Sequence, residues 1–372
     1  MQLKVVTLRE TLGLVKTVVP KKPTLPVLKY VLVKDGKLTA TDLEAAVILD
    51  LPGSEEACLL PFDELSKLLK YVPAAEDLSI EKKRGSLKLS WSDGSASYEA
   101  INPEDYPPLP EFEPELQGTI NGDELVSALS AAVSYCATDE TRPVLNGVTL
   151  KFGEVAAEIF AGDGFRMSCQ TLPLSLPGEA TAIIPSKTVQ LLAYLWEKTP
   201  RNGTAGTDSI VSLVTSKKKL EIALNGKLMK LQAGHATIIT QLTQGTPPDW
   251  WRLVTKEKPA VELHVIASEF ERAARRVSQV AEDGGGGVRL VADEANLVVS
   301  AKGEKQAVEV AVALISSQGG PGKVAINFRY LLDYLQGKEG VVSIGIHDVS
   351  KPVSFQHRSS PLVIIMPMSV QW

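Results

Sequence analysis

Pro61-Phe62-Asp63-Glu64-Leu65-Ser66-Lys67-Leu68-Leu69-Lys70 reads as a helix opening on a proline, with apolar residues four, seven and eight places later at Leu65, Leu68 and Leu69. The same offsets recur from Pro185, at Val189, Leu192 and Ala193, and from Asn327, at Leu331, Tyr334 and Leu335. Upstream of each lies a helix with apolar positions i, i+4 and i+7: Leu8, Leu12, Val15, then Leu125, Leu129, Ala132, then Phe270, Ala274, Val277. Alternating runs, such as Leu87, Leu89, Trp91 and Leu220, Ile222, Leu224, read as half-buried antiparallel strands. The chain is therefore an α+β design of roughly 120 residues repeated three times, a plan that multiplies a shape instead of building one catalytic cleft.

With 372 residues, 44% hydrophobic and 22% charged, several cores are expected. No run of about 18 apolar residues is present, and Met1 to Val6 reads as a strand, so no membrane association and a cytoplasmic location are expected. Cys58, Cys136 and Cys169, odd in number and widely spaced, fit reduced thiols better than disulfides or a zinc site. The net charge of -5 argues against a protein that wraps nucleic acid with its whole surface, but not against one with a local basic face.

Punctuation divides the repeats. The proline-rich acidic stretch from Glu104 to Pro114 closes the first, and Thr246-Pro247-Pro248-Asp249-Trp250-Trp251-Arg252 followed by Lys256 to Pro259 closes the second. The domains expected are 1–117, 118–257 and 258–372. Gly284 to Gly287 is expected to be a helix-to-strand turn, since a phosphate cradle needs the reverse order.

At 100° per residue, the far sides of these helices are basic. Lys67 and Lys70 fall opposite the Leu65 stripe, and Lys187 and Lys198 opposite that of Val189. Arg272, Arg275 and Arg276 lie away from Phe270, Ala274 and Val277, as does Arg329 from Leu331. The helix around Leu125 carries Ser127, Ser130 and Ser134 there, while acidic residues on such faces are fewer: Glu10, Asp63 and Asp333.

Six stretches, in order, complete the pattern: Lys22-Pro23-Thr24-Leu25-Pro26-Val27-Leu28; Thr41-Asp42-Leu43-Glu44; Arg142-Pro143-Val144-Leu145-Asn146-Gly147; Asp163-Gly164-Phe165-Arg166-Met167; Pro248-Asp249-Trp250-Trp251-Arg252; and Ile365-Met366-Pro367-Met368. Together they resemble the bacterial sliding clamp, the beta subunit of DNA polymerase III. The resemblance implies three clamp domains, each with two inner helices backed by antiparallel sheets, forming half of a ring closed head to tail by a homodimer around double-stranded DNA. Helices about 10 Å wide support the stoichiometry: six around a hole leave about 9 Å, whereas twelve leave about 28 Å, enough for a duplex and a water layer. Lysines and arginines then act through a screened field without reading sequence.

The resemblance assigns DNA contact to Lys22, Arg142 and Lys187, beside Lys67, Lys70, Lys198, Arg272, Arg275 and Arg276 from the face analysis. It also implies a pocket for short peptide motifs of the DNA polymerase III alpha subunit, the clamp loader and other clamp-binding-motif proteins. That pocket would be lined by Leu145, Gly164, Phe165, Arg166, Met167, Pro248, Arg252, Leu253, Ile365, Met366, Pro367 and Met368. Thioethers and aliphatic walls suit varied peptides. The chain runs past Met368 through Ser369, Val370 and Gln371 to Trp372, which is expected to cover the pocket.

At the expected dimer interface the chain departs from the family. The closing strand of the first repeat has Asp93, Ser95 and Ala96, with Tyr98 its only large apolar residue, in place of basic and aromatic side chains. Opposite stand Val280 and Glu304-Lys305-Gln306-Ala307-Val308-Glu309, with fewer carboxylates than usual. Both sides lose charge together, so a labile ring is expected; exposed ion pairs contribute only about 0 to 1 kcal/mol each.

A catalytic function is not expected. His235, His264, His347 and His357 show no ligand spacing, and no nucleophile elbow, Walker loop or HExxH run is present, so no cofactor or metal is expected. The alternative within the fold is a diverged clamp paralogue acting as an interaction scaffold outside the main replisome.

Overall fold

The computed structural model describes residues 1–54, 56–83, 85–139, 141–198, 219–254, 257–358 and 360–370. The six helices read from the apolar stripes are all present. The first of each pair spans Val5–Val15, Gly122–Val133 and Ala267–Asp283, and the second Phe62–Leu68, Ser186–Lys198 and Phe328–Leu335. In Ala267–Asp283 the buried positions Phe270, Ala273, Ala274, Val277, Val280 and Ala281 form one stripe. That helix ends where Gly284 turns its N–H back to the Val280 and Ala281 carbonyls, and Gly285 and Gly286 follow at positive φ into the strand Gly287–Ala292. The glycine run is thus a helix-to-strand turn. Asn327 caps Phe328–Leu335, its side chain accepting the Arg329 N–H at 2.9 Å.

One expectation needs a boundary correction. Only Gln2–Lys4 of the opening segment is a strand; the helix begins at Val5, because Val5 continues the buried Leu8, Leu12, Val15 stripe. Pro103–Asp105 is one 3-10 turn, closed by the Asn102 side chain accepting from Glu104, within an otherwise irregular proline-rich connection.

The chain forms two compact units: residues 1–130, 151–157 and 172–244, and residues 131–150, 158–171 and 245–372. In the first unit an eight-stranded antiparallel sheet runs Cys58–Pro61, Tyr30–Lys34, Lys37–Thr41, Ala45–Asp50, Ala236–Gln241, Leu228–Ala233, Lys219–Leu224, Leu116–Asn121. The register Thr240↔Ala45 to Ala236↔Leu49 makes it continuous from first-repeat to second-repeat strands. A separate four-stranded sheet, Gln2–Lys4, Asp77–Lys83, Ser86–Trp91, Gly94–Glu99, ends on Gly94–Glu99 as an edge.

In the second unit, strands run Ala157–Gly162, Arg166–Leu172, Leu362–Ile365, Val353–Gln356, Val341–Ile346, Val261–Ile266, Ala307–Gln318, Asn296–Lys302, Gly287–Ala292, Gly322–Asn327. Here Arg166↔Ile365 to Cys169↔Leu362 pairs a second-repeat strand with the last strand of the third. The long strand Ala307–Gln318 is split: residues 307–313 pair with Asn296–Lys302, while residues 314–318 pair on the other side with Val261–Ile266. Its first half therefore has an open edge among the described residues. No helix among the described residues is long and apolar enough to cross a membrane, and the three cysteines are free thiols.

Candidate functional site

The site is built from a turn. Gly162-Asp163-Gly164 reverses the chain between two strands, with Gly164 at φ +96 and the Asp163 carboxylate accepting the N–H groups of Phe165 at 2.8 Å and Arg166 at 3.0 Å. This arrangement turns Phe165 outward, 58% exposed. Its carbonyl accepts the Met366 N–H at 2.8 Å, which places Met366, 40% exposed, beside it at the end of the Leu362–Ile365 strand. Leu253 is also exposed in this unit, while Leu145, Pro248, Pro367 and Met368 are half-buried.

Beneath lies a cluster of Phe160, Met167, Cys169, Trp250 and Ile364, with Leu145, Val254 and Leu362 packed against it. Trp250 stacks on Phe160 at 6.2 Å between ring centroids, and its indole N–H donates to Thr149 Oγ1. Trp251 meets Phe160 edge-on and donates to Glu158. A Cβ on Gly162 would fall 2.9 Å from the Trp250 ring, so glycine there is a packing requirement.

Several expected site residues take other roles. Met167 and Ile365 are buried and do not line the site's surface; they lie on opposite faces of the sheet, Met167 paired with Ile364 in the cluster beneath and Ile365 paired with Arg166. Arg166 is only 10% exposed. Its guanidinium meets Asp163 at 3.2 Å, Asp333 at 2.8 Å and the Ser134 carbonyl at 3.2 Å, and it lies over the rings of Tyr135 and Tyr330. It is a structural hub whose donors are already engaged, instead of a peptide-facing cation. Burial pushes the Tyr135 phenol up to about 12, against the opposing pull of Arg166. Tyr135, Tyr330 and Asp333 were not expected here. Arg252 is exposed and pairs with Asp249 at 2.8 Å.

Beyond Met366 the chain turns to the third-repeat strands. Met368 donates its N–H to the Ala325 carbonyl, and Val370 lies against Gly287, so residues 368–370 follow the third-repeat strands. Gln371 and Trp372, expected to cover the pocket, lie outside the described residues.

The nine cations expected to meet DNA are all exposed, but they are not equally available. Arg275 is held by Glu271 at 2.6 Å, Arg272 approaches Glu269 at 4.0 Å, and Lys187 approaches Glu44 at 3.9 Å. Lys198 lies over the Tyr194 ring. Arg142 leans on the Asp163 carbonyl at 3.2 Å and on Asp139 at 3.8 Å, which puts it against the turn that presents Phe165. Hydrogen bonds from Thr141, aided by Arg142, hold the Asp139 carboxyl below its usual range. Lys22, Lys67, Lys70 and Arg276 have no ion-pair partner among the described residues.

Of the expected dimer-interface residues, Asp93, Glu304 and Glu309 are exposed and Ala96 and Tyr98 half-buried. Val280 needs correction: it is 4% exposed, under Gly284 and Gly303, and belongs to the core of its own unit. It lies on the buried stripe of the Ala267–Asp283 helix, with Phe270, Ala273, Ala274 and Val277.

Residues 119–249 match the family model described as the DNA polymerase III beta subunit, central domain. The Streptomyces muensis beta sliding clamp homolog GriR is 27% identical over 340 residues, covering 88% of this chain and 85% of that protein. The Escherichia coli (strain K12) beta sliding clamp is 23% identical over 367 residues, covering 93% of each. The chain is similar to bacterial beta sliding clamps along most of its length. A crystal structure of the Pseudomonas aeruginosa DNA polymerase sliding clamp shares the fold at a TM-score of 0.88, with 23% identity over 100% of this chain and 99% of that one. The clamp fold is thus an α+β array of helix pairs and antiparallel sheets, as the repeats implied.

Proposed function

We propose that this clamp-like chain is a non-catalytic DNA processivity factor of the cytoplasm. Two copies close head to tail around duplex DNA, with domains 1–117, 118–257 and 258–372 in each copy. The observation that carries this reading is a pair of dissimilar open strand edges. Among the described residues, Gly94–Glu99 is the last strand of its sheet, and residues 307–313 are paired on one side only. Each edge leaves a row of backbone N–H and C=O groups unspent, a template for another strand. Because the edges differ, one joining the other between copies is a heterologous contact, which closes into a ring when the rotation allows. Ala96 and Tyr98 lie on the first edge, with Asp93 in the turn before it; Glu309 lies on the second, with Glu304 just before it.

The exposed cations Lys22, Lys67, Lys70, Lys198, Arg272 and Arg276 support sequence-independent attraction to phosphates. The exposed pair Phe165 and Met366, with Leu253 exposed in the same unit, supports tethering of an apolar motif from the DNA polymerase III alpha subunit or the clamp loader. The test is retention on nicked circular duplex, with release when the circle is linearised. Retention on both forms, or on neither, overturns the encircling reading. Light scattering over a dilution series reports the dimer, and a particle that stays monomeric at every concentration overturns the ring.

A further inference from the structure

We propose that a second, concave site, formed by the 16–21 connection and the first turns of the Ser186–Lys198 helix, receives one unpaired nucleotide of a DNA single strand. The cavity encloses about 610 Å³, within the range of roughly 300–1,000 Å³ typical of small-ligand sites. Its floor is apolar, with Val18, Ala45 and Leu191 buried. One wall is Tyr194, whose hydroxyl donates to the Gly13 carbonyl at 2.9 Å and so fixes the ring. At the rim stand three exposed ammonium groups, Lys16, Lys21 and Lys187.

The charges decide what enters. Lys187 approaches Glu44 at 3.9 Å, whereas Lys16 and Lys21 have no ion-pair partner among the described residues. Asp42 and Glu44 also line the cavity, so three ammonium groups face two carboxylates and leave an excess of positive charge, with the Asp42 Oδ1 turned to the N–H groups of Glu44 and Ala45. An apolar floor and a fixed aromatic ring suit the face of a base, and unpaired ammonium groups suit the phosphates on either side of it. A small inorganic anion would leave the floor unused. A paired base is stacked and its edge occupied, so it does not fit a concavity; an unpaired base does. The inference rests on the DNA-binding reading, since Lys21 adjoins Lys22, which that reading places at the duplex.

The test uses the full chain and a short oligothymidylate carrying one 5-iodouracil. Irradiation is expected to yield an adduct on the peptide that contains Tyr194. Reversing the charge of two exposed side chains, Lys16→Glu with Lys21→Glu, is expected to lower oligonucleotide affinity at least roughly tenfold. It should also flatten the log affinity versus log salt slope by about 1.4, or about 0.7 for each of two phosphates. If the double variant does not fold, the wild-type adduct still decides. An adduct mapped elsewhere, or affinity unchanged by the double variant, overturns the site. Retention of the wild type on nicked circular duplex separates the two readings. Retention without the Tyr194 adduct overturns the cavity alone, and absence of both retention and oligonucleotide binding overturns both.

Discussion

Arg166 Nη1 lies 2.8 Å from Asp333 Oδ2, and this contact ties the strand that presents Phe165 to the helix Phe328–Leu335. The two partners are unequal, since Arg166 is buried while Asp333 is 57% exposed. Arg166→Met would leave Asp163, itself largely buried, without its counter-charge, and the Ser134 carbonyl without its donor. A loss of about 3 kcal/mol is expected, read as a lower denaturant midpoint at unchanged slope. Asp333→Asn leaves Asp163 in place beside the guanidinium and should lose no more than about 1 kcal/mol. Equal losses would mean that the exposed pair, and not the buried one, sets the stability.

Phe165 and Met366 are exposed and joined by one backbone hydrogen bond, so truncating either should affect binding more than folding. Phe165→Ala and Met366→Ala are each expected to weaken a clamp-binding-motif peptide by about 2 kcal/mol, roughly 30-fold in Kd, with little change in melting. Trp250→Ala removes a buried, stacked ring and should cost about 3–5 kcal/mol of stability. Titration with a fluorescent peptide and thermal unfolding separate the two classes.

What the sequence revealed follows from how local each signal is. Helix stripes repeat every three or four residues, so the starts after Pro61, Pro185 and Asn327 were legible. The turn at Asp163 is equally local, its hydrogen bonds closing within three residues. The engagement of Arg166 was not, because Tyr135, Tyr330 and Asp333 reach it from distant segments. Val280 shows the converse: an apolar side chain can be recognised in sequence, but whether it meets its own core or another subunit depends on the strands packed around its helix. The continuity of the sheets between successive repeats, through Ala236–Gln241 with Ala45–Asp50 and Arg166–Leu172 with Leu362–Ile365, is likewise a pairing of distant strands.

Two adjacent glycines in the third repeat have opposite reasons to be glycine. A Cβ on Gly284 would fall on the Lys302 carbonyl oxygen, whereas Gly285 meets nothing but sits at φ +83. Gly285→Ala should therefore cost only the left-handed backbone penalty, about 1–2 kcal/mol. Gly284→Ala must move backbone and should lower the melting temperature further. The order of the two melting temperatures checks the assignment.

The thiols supply a pH test. Burial pushes Cys58 and Cys169 up from 9.0 to about 11, and Cys136 to about 12. Because the folded values lie above the unfolded ones, the folded state holds these protons more tightly. The stability they contribute is fully present below about pH 9 and is lost as pH rises through 9 toward 11. Alkylation at pH 8 should be slow in the folded chain and fast in denaturant, so thiol labelling reports unfolding. Cys58→Ala with Cys169→Ala should flatten the alkaline limb of the stability curve, and an unchanged limb would assign it to other groups.

Cations already held by a carboxylate on the same helix should contribute less to DNA attraction than those without one. Arg275 donates to Glu271 through both Nε, at 3.0 Å, and Nη2, at 2.6 Å, so a phosphate must compete with an existing partner. Arg276, its neighbour, and Lys67, on the Phe62–Leu68 helix, are exposed with no such partner among the described residues. Under the encircling reading, Lys67→Ala and Arg276→Ala should each flatten the log affinity versus log salt slope for duplex DNA by up to about 0.9, the value for one neutralised phosphate. Arg275→Ala should flatten it less, because in the intact chain Glu271 already offsets the charge of Arg275. Anisotropy titrations of a labelled duplex across a salt series measure all three slopes under one condition. Equal slopes for the three variants would mean that the helix faces act only through the summed field of the chain, with no individual cation near a phosphate.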